Sequence, residues 1–228
     1  DVVVFALLDV DHFKSINDTH GHAAGDRVLS QLGALLTSLV RKGDYVARWG
    51  GEEFLLVLRP QPSGCASQIG ARLCSAINAH AFELDNVTRR RLTVSVGLVE
   101  HPLFPDTPEL LGWEQMVTLA DRALYRAKAG GRNTWASYRP RPGARLPVGM
   151  TSFEGDPSWL VDEGLLVPFG PPEDTGLADP MHDAYSSSPS IPAGLVPEDA
   201  LPGDASPAGG EAGGEAGGEA GGGAAPAR

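Results

Sequence analysis

The sequence predicts an α/β sandwich in which helices cover one mixed β-sheet, followed by a disordered tail. Two observations indicate this fold class. Runs rich in β-branched residues alternate along the chain with stretches whose apolar residues recur every three or four positions, the spacing of one helix face. Beyond residue 138 the composition changes, and proline, glycine and acidic residues dominate. The part before this change therefore has the element pattern of a layered α/β domain.

The first half of the predicted domain is a strand, a helix and a hairpin. The apolar run from Val2 to Val10 is typical of a strand that is buried on both faces of a sheet. After a glycine-containing loop, the apolar residues from Val28 to Val40 follow helical spacing. Two strand runs then flank Gly50 and Gly51, which indicates a hairpin because paired glycines accept the positive φ angles of tight turns.

The second half of the domain continues with a helix, a strand, a helix and a short strand. The same two periodicities place these elements at Ala66–Ile77, Arg91–Val99, Met116–Ala127 and Thr134–Tyr138. Paired glycines follow the second of these helices, at the position where a helix commonly ends.

The change in composition divides the chain into a domain, residues 1–138, and a tail, residues 139–228. The domain carries 14 basic against 15 acidic residues, whereas the tail carries 4 against 14. The apolar residues of the tail keep no sustained period, so the segment cannot bury enough apolar surface to offset the entropy that ordering would cost. We therefore expect the acidic, Pro/Gly/Ala-rich tail to be disordered.

Charge and hydropathy exclude two classes of partner. Basic and acidic residues are nearly equal in number in residues 1–138, which argues against the clustered basic surface that nucleic-acid binding requires. No apolar run reaches the roughly 18 residues of a membrane span, and the chain enters a strand without a signal-peptide pattern. We therefore expect a cytoplasmic module. The alternative is a longer protein whose preceding segment holds a membrane anchor or a sensor.

Acidic side chains stand where two predicted strands would meet. Asp9 lies at the exit of the first strand, and Glu52 and Glu53 lie at the tip of the hairpin. If these strands are neighbours, Asp9 and Glu52 reach one site, whose hard oxygen ligands suit Mg²⁺ together with substrate phosphates. The alternative is that each acid is a solvated strand end, which is where acidic residues usually lie.

Four segments of the sequence resemble the GGDEF family in order and in spacing. They are DVDHFKSINDTHGHAAGD (Asp9–Asp26), RWGGEEF (Arg48–Phe54), TVSVG (Thr93–Gly97) and ADRALYRAKAGGRN (Ala120–Asn133). The resemblance covers residues 1–138 and implies a palm-like fold related to nucleotidyl cyclases. It also implies a diguanylate cyclase, which condenses two GTP molecules into cyclic di-GMP and two pyrophosphates. One departure is that the family's helix and turn before the first strand are missing here.

The resemblance implies the residues of a metal-dependent catalytic centre. Asp9, the backbone carbonyl of Val10, and Glu52 match the family's ligands for Mg²⁺ or Mn²⁺. Glu53 matches a residue that assists metal binding or takes up the proton of the 3′-hydroxyl group, and the sequence leaves these two roles open.

Further positions match the family's contacts to the nucleotide. Asn17 and Asp26 correspond to the pair that reads guanine, whose polar edge suits an amide and a carboxylate. For Asp26 the alternative is the N-cap of the following helix. Four residues match the family's contacts to the triphosphate. Two are glycines, which leave room for the phosphates, and two are cations: Gly50, Gly51, Lys128 and Arg132. The two cations would also complement the C-terminus of the last helix.

A second site is implied by the sequence RKGD, which begins nine residues before Gly50, the family's spacing for its product-binding inhibitory motif. Arg41 would clamp guanine or phosphate of cyclic di-GMP, and Asp44 would accept hydrogen bonds from guanine. Arg72 matches a secondary contact to the same product. The alternative is an ordinary charged helix end.

The family binds one GTP per domain, so the resemblance implies that a homodimer is the active species, and it implies a sensor domain before the first strand. Two other functions stay open. The domain could be a catalytically silent regulatory module that binds GTP or cyclic di-GMP, although the complete GGEEF sequence favours an enzyme. The chain could also serve mainly as an interaction protein that acts through its tail.

Overall fold

The computed structural model describes residues 2–171, apart from the side chains of Pro60 and Gln61. Its elements are β1 (Val2–Val10), α1 (Phe13–His20), α2 (His22–Leu39), β2 (Tyr45–Arg48), β3 (Glu53–Gln61), α3 (Ala66–Ala79), β4 (Ala81–Glu83), β5 (Arg89–Arg91), β6 (Val94–His101), α4 (Trp113–Ala129), β7 (Trp135–Pro140), α5 (Trp159–Asp162) and β8 (Leu166–Phe169). The tail was predicted for residues 139–228, and its part from residue 172 onward lies outside the described residues. Within residues 2–171, no helix combines the length and the apolar character that crossing a membrane requires.

Six strands form one sheet in the order β2-β3-β1-β6-β7-β8. Neighbouring strands are antiparallel except β6 and β7, which are parallel. Strands β4 and β5 form a separate two-stranded sheet. The predicted α/β sandwich, with a mixed and mostly antiparallel sheet flanked by helices, is confirmed.

The central strand β1 is buried on both faces because its side chains alternate between two hydrophobic cores. Val4, Ala6 and Leu8 belong to the core that includes helices α1, α2 and α3. Phe5 and Leu7 belong to the core that includes α4. This double burial is the reason why the strand is an unbroken apolar run in the sequence.

Two local predictions of secondary structure are wrong. Helix α1 occupies the stretch predicted to be a loop, because only Phe13 and Ile16 are buried on this short helix and two residues give no readable period. Asp26 consequently lies in the second turn of α2, whose N-cap is Gly21, so the alternative role of Asp26 as an N-cap is excluded. The strand predicted to begin at Arg91 begins three residues later, since Arg91 belongs to β5.

Residues 139–171 are folded, so the domain boundary predicted at residue 138 is wrong. Strand β7 continues to Pro140, and β8 pairs with it in antiparallel register. Between them, α5 places Leu160 in the core that contains α4, and Leu166 of β8 joins the same core. The composition was misleading because single apolar residues, spaced without a period, complete a core whose other side is supplied by distant elements.

Hydrogen bonds attach this C-terminal extension, residues 141–171, to helix α4. The buried Arg122 donates from Nη2 to Asp162 Oδ1 at 2.7 Å. Gln115 donates from Nε2 to the carbonyl oxygen of Phe153 at 2.9 Å. The extension therefore packs on the helix that carries Lys128.

Candidate active site

The exit of β1 lies beside the entry to β3. Asp9, the last residue but one of β1, is paired in register with Glu53, the first residue of β3. Ser95 of β6 stands opposite Asp9 on the other side. Glu52 directly precedes Glu53 at the tip of the hairpin. The structure therefore brings these three acids to one end of the sheet.

Two cations act electrostatically on the Asp9 carboxylate. Lys128, in the last turn of α4, places its Nζ 2.9 Å from Asp9 Oδ2. Arg132 follows α4 in the left-handed region, at φ 65°, and its backbone N–H donates to the carbonyl oxygen of Ala127 at 3.1 Å. Burial raises the pKa of Asp9 above its usual value, whereas Lys128 and, more weakly, Arg132 act in the opposite direction. The two predicted phosphate contacts thus share one electrostatic environment with the acids.

The acids repel one another in this environment. Burial raises the pKa of Glu52 and Glu53, and the charge of Asp9 raises both further, while Lys128 opposes the rise. Asp121 of α4 adds to the repulsion at Glu53. The sequence reasoning missed Asp121, and the available signal was its spacing of two helical turns from Lys128. Additional positive charge at this point would relieve the repulsion.

The acidic side chains at this end of the sheet cannot hold a divalent cation by themselves. A cation bound here needs further ligands from the backbone, the substrate phosphates and water. Within residues 2–171, no three His, Cys, Asp or Glu side chains form a cluster that could hold a metal by itself. Asp9 and Glu52 can supply one carboxylate each, and Val10 can supply its backbone carbonyl oxygen. Mg²⁺ is commonly bound in this way, by one or two carboxylates together with substrate phosphates and water. The residues present therefore fit a metal that arrives with a nucleotide.

The tip of the β2–β3 hairpin is open around its two glycines. Neither Gly50 nor Gly51 has a positive φ angle, so the prediction that they supply the positive φ angles of a tight turn is wrong. A side chain added to Gly51 would meet no atom within 4 Å, and one added to Gly50 would lie 3.2 Å from Glu53 Oε2. The guanidinium of Arg48 holds the tip, since its Nη2 donates to the carbonyl oxygen of Gly51 at 2.7 Å. The glycines keep space free beside Glu53.

Asp11 is a buried acid to which the sequence analysis assigned no role. Its carboxylate accepts hydrogen bonds from Thr93 Oγ1 at 2.7 Å, Ser95 Oγ at 2.7 Å and the backbone N–H of Asn133 at 2.9 Å. These three bonds join the ends of β1 and β6 to the loop that follows α4. Asp11 therefore fixes the relative positions of the elements that carry Asp9 and Lys128.

The two predicted guanine contacts lie on adjacent helices. Asn17 is half-buried in α1, and Asp26 is exposed in α2. Gly21, at φ 81°, joins the two helices in a conformation that favours glycine. The corner between α1 and α2 follows β1 directly, so both residues come from the segment that leaves the acidic end of the sheet.

The predicted inhibitory residues line one pocket of about 360 Å³ between the α2–β2 connection and the start of α3. Arg41, Asp44 and Arg72 of α3 all line this pocket. The carboxylate of Asp44 accepts hydrogen bonds from the backbone N–H groups of Arg41 and Arg59, both at 2.9 Å. The structure therefore brings all three predicted residues together.

The fold and the site define an α/β domain with an acidic centre and an adjacent lysine at one end of its sheet. The chain belongs to the GGDEF family, because the family model described as "Diguanylate cyclase, GGDEF domain" matches residues 1–134. Strand β7, helix α5 and strand β8 lie beyond the matched residues.

Curated relatives match the same region. Diguanylate cyclase A of Treponema denticola is 35% identical over 127 residues, which are 56% of this chain and 33% of that protein. Diguanylate cyclase DgcM of Escherichia coli K12 is 42% identical over 127 residues, which are 56% of this chain and 28% of that protein. The chain thus spans about a third of the length of these relatives.

Solved structures of the family are similar to the described fold. The diguanylate cyclase SiaD of Pseudomonas aeruginosa, solved in complex with its activator SiaC, has a TM-score of 0.51 at 38% identity, over 58% of this chain and 48% of that chain. The GGDEF domain of DgcB from Caulobacter crescentus, solved in complex with c-di-GMP, has a TM-score of 0.50 at 31% identity, over 58% of this chain and 73% of that chain.

Proposed function

We propose that this domain is a diguanylate cyclase that condenses two GTP molecules into cyclic di-GMP. The observation that supports the proposal is the convergence of Asp9, Glu52, Glu53 and Lys128 at one end of the sheet in a GGDEF domain. In each half-reaction the 3′-oxygen of one GTP attacks the α-phosphorus of the other. One O–P bond forms, the bond between the α- and β-phosphates breaks, and pyrophosphate leaves. Such a displacement depends on positioning and on charge stabilisation.

Asp9, the carbonyl oxygen of Val10, and Glu52 would hold Mg²⁺ or Mn²⁺. A bound divalent cation supplies positive charge to the phosphate oxygens and lowers the pKa of a nearby hydroxyl group. Asp9 and Glu52 lie close enough to repel each other, and burial raises the pKa values of both carboxyl groups. A bound cation would relieve this repulsion. Lys128 neutralises Asp9 in the absence of other partners, and it can contact a phosphate oxygen when Asp9 has another partner.

Glu53 either assists metal binding or accepts the proton of the attacking 3′-hydroxyl group. Burial and the charge of Asp9 raise its pKa, which makes its carboxylate a stronger base than an ordinary glutamate. Its Oε2 lies beside Gly50, next to the space that the hairpin tip leaves free for a triphosphate. Both roles are compatible with this position.

Asn17 and Asp26 would read the guanine edge, with the carboxylate accepting from its N–H donors. Gly50 and Gly51 would admit the triphosphate without a Cβ atom in its path. Arg132 would contact a phosphate from the loop after α4. Together these contacts would hold one GTP per domain.

One GTP per domain requires two domains to meet face to face, as a two-fold homodimer allows. Specific activity should therefore rise with protein concentration until the dimer is saturated. A specific activity that stays constant across the dilution range, with the protein monomeric by light scattering, would exclude the dimeric mechanism.

We also propose that cyclic di-GMP inhibits the enzyme by binding to the pocket of Arg41, Asp44 and Arg72. Two guanidinium groups and a carboxylate suit the phosphates and guanine edges of this ligand. Arg41→Ala should abolish product inhibition while initial turnover stays at the wild-type rate. Equal inhibition of the variant and the wild type would refute this assignment.

The competing function is a catalytically silent module that only binds GTP or cyclic di-GMP. Incubation with GTP and Mg²⁺, followed by mass detection of cyclic di-GMP, separates the two. Glu52→Ala and Glu53→Ala should each abolish product formation, and Glu109→Ala, at an exposed glutamate, should not. Binding of GTP without product in the wild type would favour the silent module.

The greater length of the curated relatives leaves room for a sensor domain, which we propose for the full protein together with a cytoplasmic location. A chain that acts mainly through its tail and a chain that acts as an enzyme are distinguished by deleting the tail. Deletion of residues 172–228 should leave turnover unchanged if catalysis resides in the described domain.

A further inference from the structure

We propose that Gly25 is a positioning residue for nucleobase recognition, because it provides the space in which the Asn17 amide is held. This inference rests on the proposed function, in which Asn17 contacts guanine. It adds a residue that contacts no substrate itself and that acts through its neighbour.

The two residues meet at the corner between α1 and α2. Gly25 is buried in the second turn of α2, and Asn17 lies in the second turn of α1. A Cβ atom built on Gly25 would lie 2.0 Å from Asn17 Oδ1 and 3.1 Å from its Cγ. It would also lie 3.0 Å from the ring of Phe13. Any residue other than glycine at this position therefore excludes the observed place of the amide.

Packing alone holds the Asn17 side chain. Within residues 2–171 its amide makes no hydrogen bond, and its Oδ1 is buried without a partner. A polar atom that is buried and unpaired costs free energy, and a contact with a ligand is one of the explanations for such an atom. Since no hydrogen bond fixes the amide, the empty space above the Cα of Gly25 determines where it lies.

Alanine at position 25 should move the amide without unfolding the domain. The atom that a new Cβ would strike is the end of a flexible side chain, which can rotate away at small cost. Alanine also favours helix over glycine, which offsets part of the crowding against Phe13. The expected loss is thus confined to recognition of the base.

The chain offers a matched control in the same helix. A Cβ atom at Gly33 of α2 would meet only Phe54 Cε1, at an ordinary contact distance of 3.6 Å. Gly33→Ala therefore makes the same chemical change in α2 without displacing a polar side chain.

The test compares two probes in the presence of Mg²⁺: GTP, which carries the base, and inorganic tripolyphosphate, which does not. Gly25→Ala should weaken GTP binding about tenfold, the effect of losing roughly one hydrogen bond, and leave tripolyphosphate binding unchanged. Gly33→Ala should bind both probes as the wild type does. Asn17→Ala should weaken GTP binding to a similar degree, and adding Gly25→Ala to it should have no further effect.

Three results would overturn the inference. These are wild-type GTP affinity in Gly25→Ala, an additive loss in the double variant, or a parallel loss of tripolyphosphate binding and thermal stability. A wild-type domain that binds no GTP would instead refute the proposed function, and the inference would fail with it.

Discussion

Replacing Leu160 with alanine tests whether the C-terminal extension is an integral part of the folded domain. Leu160 is 0% exposed and belongs to the core that contains α4. Truncation of a fully buried leucine commonly costs about 2–5 kcal/mol, because transfer free energy is lost and a cavity remains. For a folded unit of this size each kcal/mol lowers the melting temperature by about 2–4 °C. Leu160→Ala should therefore melt roughly 4–20 °C below the wild type.

Circular dichroism during heating and urea titration at 25 °C measure this difference. Val148 provides a control in the same segment, since its side chain is fully exposed, and Val148→Ala should change stability by less than about 0.5 kcal/mol. Superimposable melting curves of Leu160→Ala and the wild type would show that the extension contributes nothing to the folded domain.

Three other changes test the site. Glu53→Gln should raise the melting temperature at neutral pH, because burial and Asp9 destabilise the ionised carboxylate, and the gain should fade as pH falls towards the ordinary value of 4.5; a gain independent of pH would contradict this. Asp11→Ala should cost about 3 kcal/mol or more in urea titrations, since buried donors lose their acceptor. Lys128→Met should reduce turnover by roughly a hundredfold with unchanged circular dichroism, and full activity would exclude a role for its charge.

The sequence predicted the elements whose periodicity is complete within themselves. Strand β1 was readable because both of its faces are buried, and α4 because its apolar face repeats over several turns. Helix α1 and the extension were not readable, because each contributes only a few apolar residues to a core that other elements complete. Neither pattern is visible until the distant partners are in place.

The candidate site also combines features that were predictable from the sequence with features that were not. The sequence predicted that Asp9 and Glu52 reach one site, because both stand at the ends of strands that a hairpin-containing sheet brings together; the structure pairs Asp9 in register with Glu53, the neighbour of Glu52. The charge of Asp121 at Glu53 and the binding of Asp11 to the loop after α4 were not predictable. They depend on how α4 lies across the sheet, and no local pattern records that angle.

The sequence by itself determined the class of fold, the order of its main elements, the acidic residues at the strand ends and the resemblance to one family. Only the tertiary structure decided where the domain ends, why Gly25 has no side chain and which cation neutralises Asp9. The physical reason is that periodicity and motifs are properties of neighbours along the chain. Cavities, ion pairs and unpaired buried atoms arise between residues that are distant in sequence and meet only when the chain is folded.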